Sequence, residues 1–217
     1  DLAGYTYANR YQIFNQRCAP IQVSYLGFAG STGLNNMDYL IADKTVIPDD
    51  CRKFYSEKII YMPKTFMPGD DTQKISNKNL KRKDFGIPNN AVVYCCFNKS
   101  YKITPDVFNL WIDIINEVEN SILWLNISND QTKLNILDYA KKNNLNSNKI
   151  FFTDRSIKYE DYLEKHTLAD IFLDTHPFSA HSTGYASLIS GVPIVTYKSD
   201  TFANNVCSSL LVEAELQ

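Results

Sequence analysis

From Val92 onward the chain alternates short apolar runs with segments of helical period, and this alternation constrains the fold more than any other feature. Val92 to Phe97, Ser121 to Leu125, Lys149 to Thr153, Asp170 to Asp174 and Val192 to Tyr197 read as strands. Between them, Pro105 to Val118, Gln131 to Asn143, Tyr159 to His166 and Thr183 to Ser190 read as helices, and Thr201 to Leu211 follows as another. The punctuation agrees: Thr104 stands where it can cap a helix that begins on Pro105, and Gly191 stands where a helix ends. Apolar runs joined by helices form βαβ units, in which each crossover lays a helix across a parallel sheet and buries both of its faces. The expected fold class is therefore α/β, with a doubly wound, Rossmann-like lobe. Ligands of such sheets bind beyond the carboxyl ends of the strands. The loops Asn98 to Thr104, Asp154 to Lys158 and Thr175 to Ser182 form that edge.

Residues 1–68 have a different rhythm. Ile21 to Leu26, Tyr39 to Ala42 and Lys58 to Tyr61 read as strands, separated by a glycine-rich turn, Gly27 to Gly33, and a helix-like stretch, Asp49 to Tyr55. So few strands do not make an independent α/β domain, so 1–68 is expected to be part of a first lobe. Residues 69–84 are polar and rich in Lys, Asn and Asp, and read as a linker. Residues 85–217 then form the second lobe, cut short at its C-terminus. The chain opens on Asp-Leu-Ala-Gly-Tyr-Thr and stops within the apolar pattern Leu210 to Leu216, so a fragment of a longer protein is expected.

Composition excludes several partners. The 217 residues are 44% hydrophobic and 21% charged with a net charge of −2, which provides no general attraction for nucleic acid or an anionic membrane. No apolar run has the length of a bilayer span, and no secretory signal pattern is present. The five cysteines include no CxxC pair, so a reduced, cytoplasmic protein is expected. His176 and His181 flank a proline at a spacing that suits a shared metal poorly, and no metal site is expected.

Residues 173–184, Leu-Asp-Thr-His-Pro-Phe-Ser-Ala-His-Ser-Thr-Gly, lead from a strand through a polar turn into a helix. The first amides of a helix lack intrahelical acceptors and lie at the positive end of its dipole, so this turn reads either as an ordinary helix cap or as a grip for phosphate. Ser182 and Thr183 add hydroxyl donors, Gly184 permits close approach, and His181 adds a further donor. Lys99 and Lys102, three residues apart after the first strand of this lobe, suit a diphosphate; Lys99 reads equally as a surface lysine. Lys158 can lay its stem along a nucleobase or simply precede a helix as a surface charge. Asp174 reads as a cap for its own loop in preference to an orienter of His181. His166 reads as a surface or helix-end residue, and Trp111 and Trp124 as core.

These residues sit within a longer pattern. Gly4-Tyr5-Thr6 with Arg10, Ala19 to Val23, Tyr25-Leu26-Gly27 with Gly30 to Gly33, Met37-Asp38-Tyr39, Tyr55 to Lys58 and Tyr61-Met62-Pro63 occur in order. Tyr94 to Asn98, Tyr101-Lys102-Ile103, Ser121 to Leu125, Leu168-Ala169-Asp170, Leu173-Asp174-Thr175 and His181 to Gly184 continue it. The whole resembles the catalytic region of O-linked N-acetylglucosamine transferases and their SPINDLY-like relatives. The resemblance implies a GT-B fold of two Rossmann-like lobes and metal-independent transfer of a sugar from a UDP-sugar to Ser or Thr hydroxyls of a protein or peptide acceptor. It implies tetratricopeptide repeats upstream, and no cofactor beyond the nucleotide-sugar donor. By resemblance, Lys102 matches the lysine that stabilises the departing phosphate. His181, Ser182 and Thr183 match the turn that grips diphosphate and sugar. Lys158 and Ser156 match contacts to the base, Lys99 stands where animal enzymes have Gln, and Thr6 and Gly27 match positions close to the sugar. The same scaffold admits UDP-glucose or GDP-fucose as donor, or a non-catalytic module that binds nucleotide sugars. The family's histidine for the acceptor hydroxyl lies upstream of Asp1, and because half of the first lobe is expected to be missing, the fragment alone is expected to be inactive.

Overall fold

In the computed structural model, which describes residues 1–154 and 158–216, the strands fall into two parallel sheets. The chain divides into two compact units, Asp70–Tyr197 and a unit built from Asp1–Gly69 together with the residues from Lys198 onward.

The Asp70–Tyr197 unit carries β4 (Val92–Cys96), β5 (Ser121–Asn126), β6 (Ile150–Thr153), β7 (Ile171–Leu173) and β8 (Ile194–Val195) in the order β6-β5-β4-β7-β8. Every neighbouring pair is parallel. The crossovers are α1 (Pro105–Glu117), α2 (Asp130–Lys142), α3 (Tyr159–His166) and α4 (Ser182–Ile189). Local chemistry explains their ends. The Thr104 hydroxyl accepts the Val107 amide with Pro105 at the first position of α1, the Asn129 side chain accepts the Thr132 amide at the start of α2, and Gly191 takes the left-handed conformation (φ +77°) after α4. The central strands are apolar on both faces: Val93, Cys95, Leu123, Trp124 and Phe172 are fully buried.

The other unit holds a three-stranded parallel sheet, β1 (Val23–Ser24), β2 (Tyr39–Ala42) and β3 (Lys58–Tyr61), in that order. Its glycine-rich turn is pinned by Glu57, whose buried carboxylate accepts the Ser31 hydroxyl at 2.7 Å and the Thr32 amide at 2.6 Å. Burial pushes the Glu57 carboxyl up, but these donors outweigh it and hold the group below the usual range. Asp43 is a second hub. Its Oδ1 accepts the Thr45 and Val46 amides, and its Oδ2 accepts the Phe66 amide at 2.8 Å and the Ser209 hydroxyl at 2.6 Å.

The boundaries differ from the expected ones in two places. Residues 198–216, expected in the second lobe, join the first, because α5 (Phe202–Glu213) buries Phe202 and Val206 in one cluster with Leu40, Val46, Ile47 and Phe66. The expected linker, 69–84, is bonded into the second unit from Asp70 on. The Glu164 carboxylate accepts the Lys78 and Leu80 amides, Lys78 pairs with Asp161 at 2.6 Å, and Arg82 makes two 2.9 Å bonds to Asp170. Its polar residues are those of a strap, held by hydrogen bonds in place of apolar packing.

Candidate functional site

The strand order places a topological switch between β4 and β7: the chain leaves β4 towards β5 on one side, while β7 and β8 extend the sheet on the other. In an open parallel sheet the loops leaving the carboxyl ends of two such strands diverge and open a crevice for ligand. Here they are tied together. Asn98, directly after β4, donates from Nδ2 to Asp174 Oδ1 at 3.1 Å and to Thr175 Oγ1 at 2.8 Å.

Asp174 organises the turn that follows β7. Its Oδ1 also accepts the amides of Thr175 and Ala180, both at 2.7 Å, and its Oδ2 accepts the Thr196 hydroxyl at 2.7 Å. Thr175 Oγ1 donates to Phe178 O at 2.7 Å. The His176–Pro177 peptide is cis. With its backbone held from inside, the turn delivers His181 to the N-cap of α4, where the imidazole makes no capping bond to the helix. The first amides of α4 thus open toward the carboxyl edge of the sheet at the positive end of the helix dipole.

A cleft of roughly 710 Å³ opens on this edge, a size common for small-molecule sites. Lys99, Lys158, Ser182 and Thr183 line it. Lys102 and His181 meet elsewhere, around Phe178. The Lys102 ammonium lies 3.7 Å from the centroid of the Phe178 ring and donates to Ser179 O at 2.7 Å, while the His181 ring packs against Phe178 at 4.8 Å. Thr6 and Gly27 belong to the other unit. There the Thr6 hydroxyl donates to Ala3 O at 2.8 Å, and a Cβ on Gly27 would stand 2.1 Å from Leu2 O, so only glycine fits. Ser156 lies outside the described residues.

Sequence reasoning missed three contributors. The segment Asn126 to Asn129, from the last residue of β5 onward, lines the cleft; its Asn and Ser residues at the carboxyl end of a strand were the available signal. Tyr159 and Tyr162 on α3 also line it, and the Tyr162 hydroxyl is hydrogen-bonded to Thr183. The third is the buried pair Lys165 and His166. His166 is fully buried, not a surface residue: Phe97, Tyr162 and Phe172 surround its ring, and its Nδ1 faces Tyr162 O at 2.9 Å. Burial lowers its pKa to about 4. Lys165 donates to Asp154 O at 2.8 Å at the exit of β6, and burial lowers its pKa to about 8. The pair anchors α3, and with it the Lys158 end of the cleft.

The sequence matches the profile of Glycosyl transferase family 41 over residues 1–81 and 78–216. The chain belongs to that family. Among family 41 relatives, a probable UDP-N-acetylglucosamine–peptide N-acetylglucosaminyltransferase SEC of Arabidopsis thaliana is 37% identical over all of this chain and 22% of its own length. A UDP-N-acetylglucosamine–peptide N-acetylglucosaminyltransferase of Caenorhabditis elegans is 26% identical over 97% of this chain and 28% of its own length. The chain thus spans about a quarter of these relatives. The solved O-GlcNAc transferase of Thermobaculum terrenum superposes with a TM-score of 0.82 at 26% identity, covering 94% of this chain and 38% of that one. A lipopolysaccharide glycosyltransferase, WaaG, shares the fold with a TM-score of 0.57 at 13% identity. The family 41 chain therefore has the GT-B type of α/β fold. Among the described residues no helix is long and apolar enough to cross a membrane.

Proposed function

We propose that the protein transfers N-acetylglucosamine from UDP-N-acetylglucosamine to Ser or Thr hydroxyls of a protein acceptor. One observation carries the reading: a cleft at the switch point of a parallel sheet, lined jointly by Lys99, Lys158 and the hydroxyls that open α4, in a chain whose relatives are named for this transfer. In the reaction, the acceptor oxygen forms a bond to the anomeric carbon as the bond from that carbon to the β-phosphate oxygen breaks. The hydroxyl proton leaves to a base, and UDP departs with an added negative charge. That charge falls on the Lys102 ammonium and on the N-terminus of α4 with Ser182 and Thr183, groups fixed in place before donor arrives. The family resemblance assigns Lys158 and Ser156 to the base and Thr6 and Gly27 to the sugar. No metal or cofactor enters the proposal, because these cations and amides supply the charge that the leaving group needs. Tetratricopeptide repeats upstream and a cytoplasmic location complete it.

The test is transfer by the full-length protein to a peptide acceptor, with UDP-N-acetylglucosamine, UDP-glucose and GDP-fucose supplied in parallel. Turnover of the first supports the reading. Turnover of another donor alone changes the sugar, and absence of turnover with detectable UDP binding favours a non-catalytic module.

A further inference from the structure

Phe178 has no part in the scheme above, yet its ring meets both Lys102, which takes the leaving-group charge in that scheme, and His181, the N-cap of α4. The Lys102 ammonium lies 3.7 Å from its ring centroid. The His181 imidazole packs at 4.8 Å with the planes tilted by 56°. The carbonyl of the next residue, Ser179, accepts from the same ammonium at 2.7 Å. The backbone that carries the ring is held, because the Phe178 carbonyl accepts Thr175 Oγ1 and Thr175 is tied to Asn98. A lysine side chain has many rotamers, and holding it in one of them costs entropy unless something rigid receives its head. An aromatic face attracts a cation through its quadrupole, most strongly where water is partly excluded, and Phe178 is half-buried.

We infer that Phe178 is a positioning residue: its ring and the Ser179 carbonyl clamp the Lys102 ammonium beside the N-terminus of α4, so that the charge is in place before the phosphate arrives. The inference rests on the proposed transferase reading for its consequence in turnover, but the clamp itself can be detected without turnover. The ring does not touch the reacting atoms in this account. It acts through Lys102, and it sets how far Lys102 stands from His181.

Two measurements on the full-length protein test it. In the first, lysines are reductively methylated with ¹³C-formaldehyde, which retains their charge. The Lys102 methyl signal, assigned with Lys102→Arg, should be displaced upfield by the ring current and return to the ordinary lysine position in Phe178→Leu. An undisplaced Lys102 signal in the unsubstituted protein overturns the clamp. In the second, mono-, di- and trifluorophenylalanine are placed at position 178, which withdraws charge from the ring face while nearly preserving its shape. The turnover number should fall stepwise with fluorination, Phe178→Leu should lose about tenfold, and Phe178→Tyr should recover most of that loss. UDP affinity should change far less than turnover. Equal turnover across the fluorinated series overturns the positioning role, since packing alone is indifferent to ring charge. If no nucleotide sugar is turned over by the unsubstituted protein, the transferase reading fails, and the methyl signal still decides the clamp.

Discussion

Asn98 donates its side-chain amide to the carboxylate of Asp174 and so joins the loop after β4 to the loop after β7 across the switch point of the sheet. The geometry of the site hangs on the pair. Asp174 collects two backbone amides and two side-chain donors within one residue's reach. Asp174→Ala leaves those buried donors without an acceptor. It should destabilise the protein by about 3 kcal/mol and abolish UDP binding. Urea unfolding and calorimetry measure the two effects, and a variant of normal stability that still binds UDP would contradict the role assigned to the carboxylate.

Lys102 tests the leaving-group argument. Removing one preorganised cation from a developing negative charge should cost roughly 100-fold or more in turnover. Steady-state transfer by Lys102→Ala in the full-length protein should show the loss mainly in kcat, with the smaller part in KM, because the proposed site also gives the donor Lys99, Lys158 and α4. Unchanged kcat would remove Lys102 from the mechanism.

His166 makes stability depend on pH. Its pKa is about 4 in the folded chain against an ordinary 6.5, so as pH falls the unfolded chain takes up the proton first. The stabilisation is whole above 6.5 and is lost progressively as pH drops from there toward 4, by about 3 kcal/mol in all. Denaturant midpoints measured across that window should fall in the unsubstituted protein. In His166→Leu this component of the slope should vanish, whatever baseline stability the variant has.

The alternation of apolar runs and helices placed every strand of the second sheet within a few residues, because a strand buried on both faces has no choice but to be apolar throughout. The Thr104–Pro105 start of α1 was equally plain, since capping is a local matter. What escaped was the partner of each surface. Phe202, Val206 and Leu210 mark an apolar stripe on α5, but a stripe does not say which sheet it covers, and it covers the first unit's. Lys165 and His166 look polar and therefore outward-facing; they are inward because α3 is short and Asp154 O and Tyr162 O are there to receive their nitrogens. The cleft followed the same division. Lys99, Lys158, Ser182 and Thr183 were legible from their place after strands, whereas Asn126 to Asn129 became visible only when β5 was set beside β4.

Asp43 measures how firmly α5 is held. It joins the turn after β2 to Phe66 and, through Ser209, to α5. Asp43→Ala should cost about 3 kcal/mol by orphaning these buried donors. Ser209→Ala removes the hydroxyl that bonds Asp43 and Thr65 and should cost less, about 1 to 2 kcal/mol. Urea midpoints of the two variants give the comparison, and equal values would show that Asp43 acts only through Ser209.

Because α5 completes the core begun by β2, the first unit is assembled from segments that lie on either side of residues 70–197 in the sequence. On the ribosome, residues 70–197 emerge whole and can close their sheet while the earlier residues still wait for Phe202 and Val206. A stalled or clipped chain ending near Tyr197 would present a second unit able to close its sheet beside a core that lacks Phe202 and Val206, a species for chaperones and proteases to recognise.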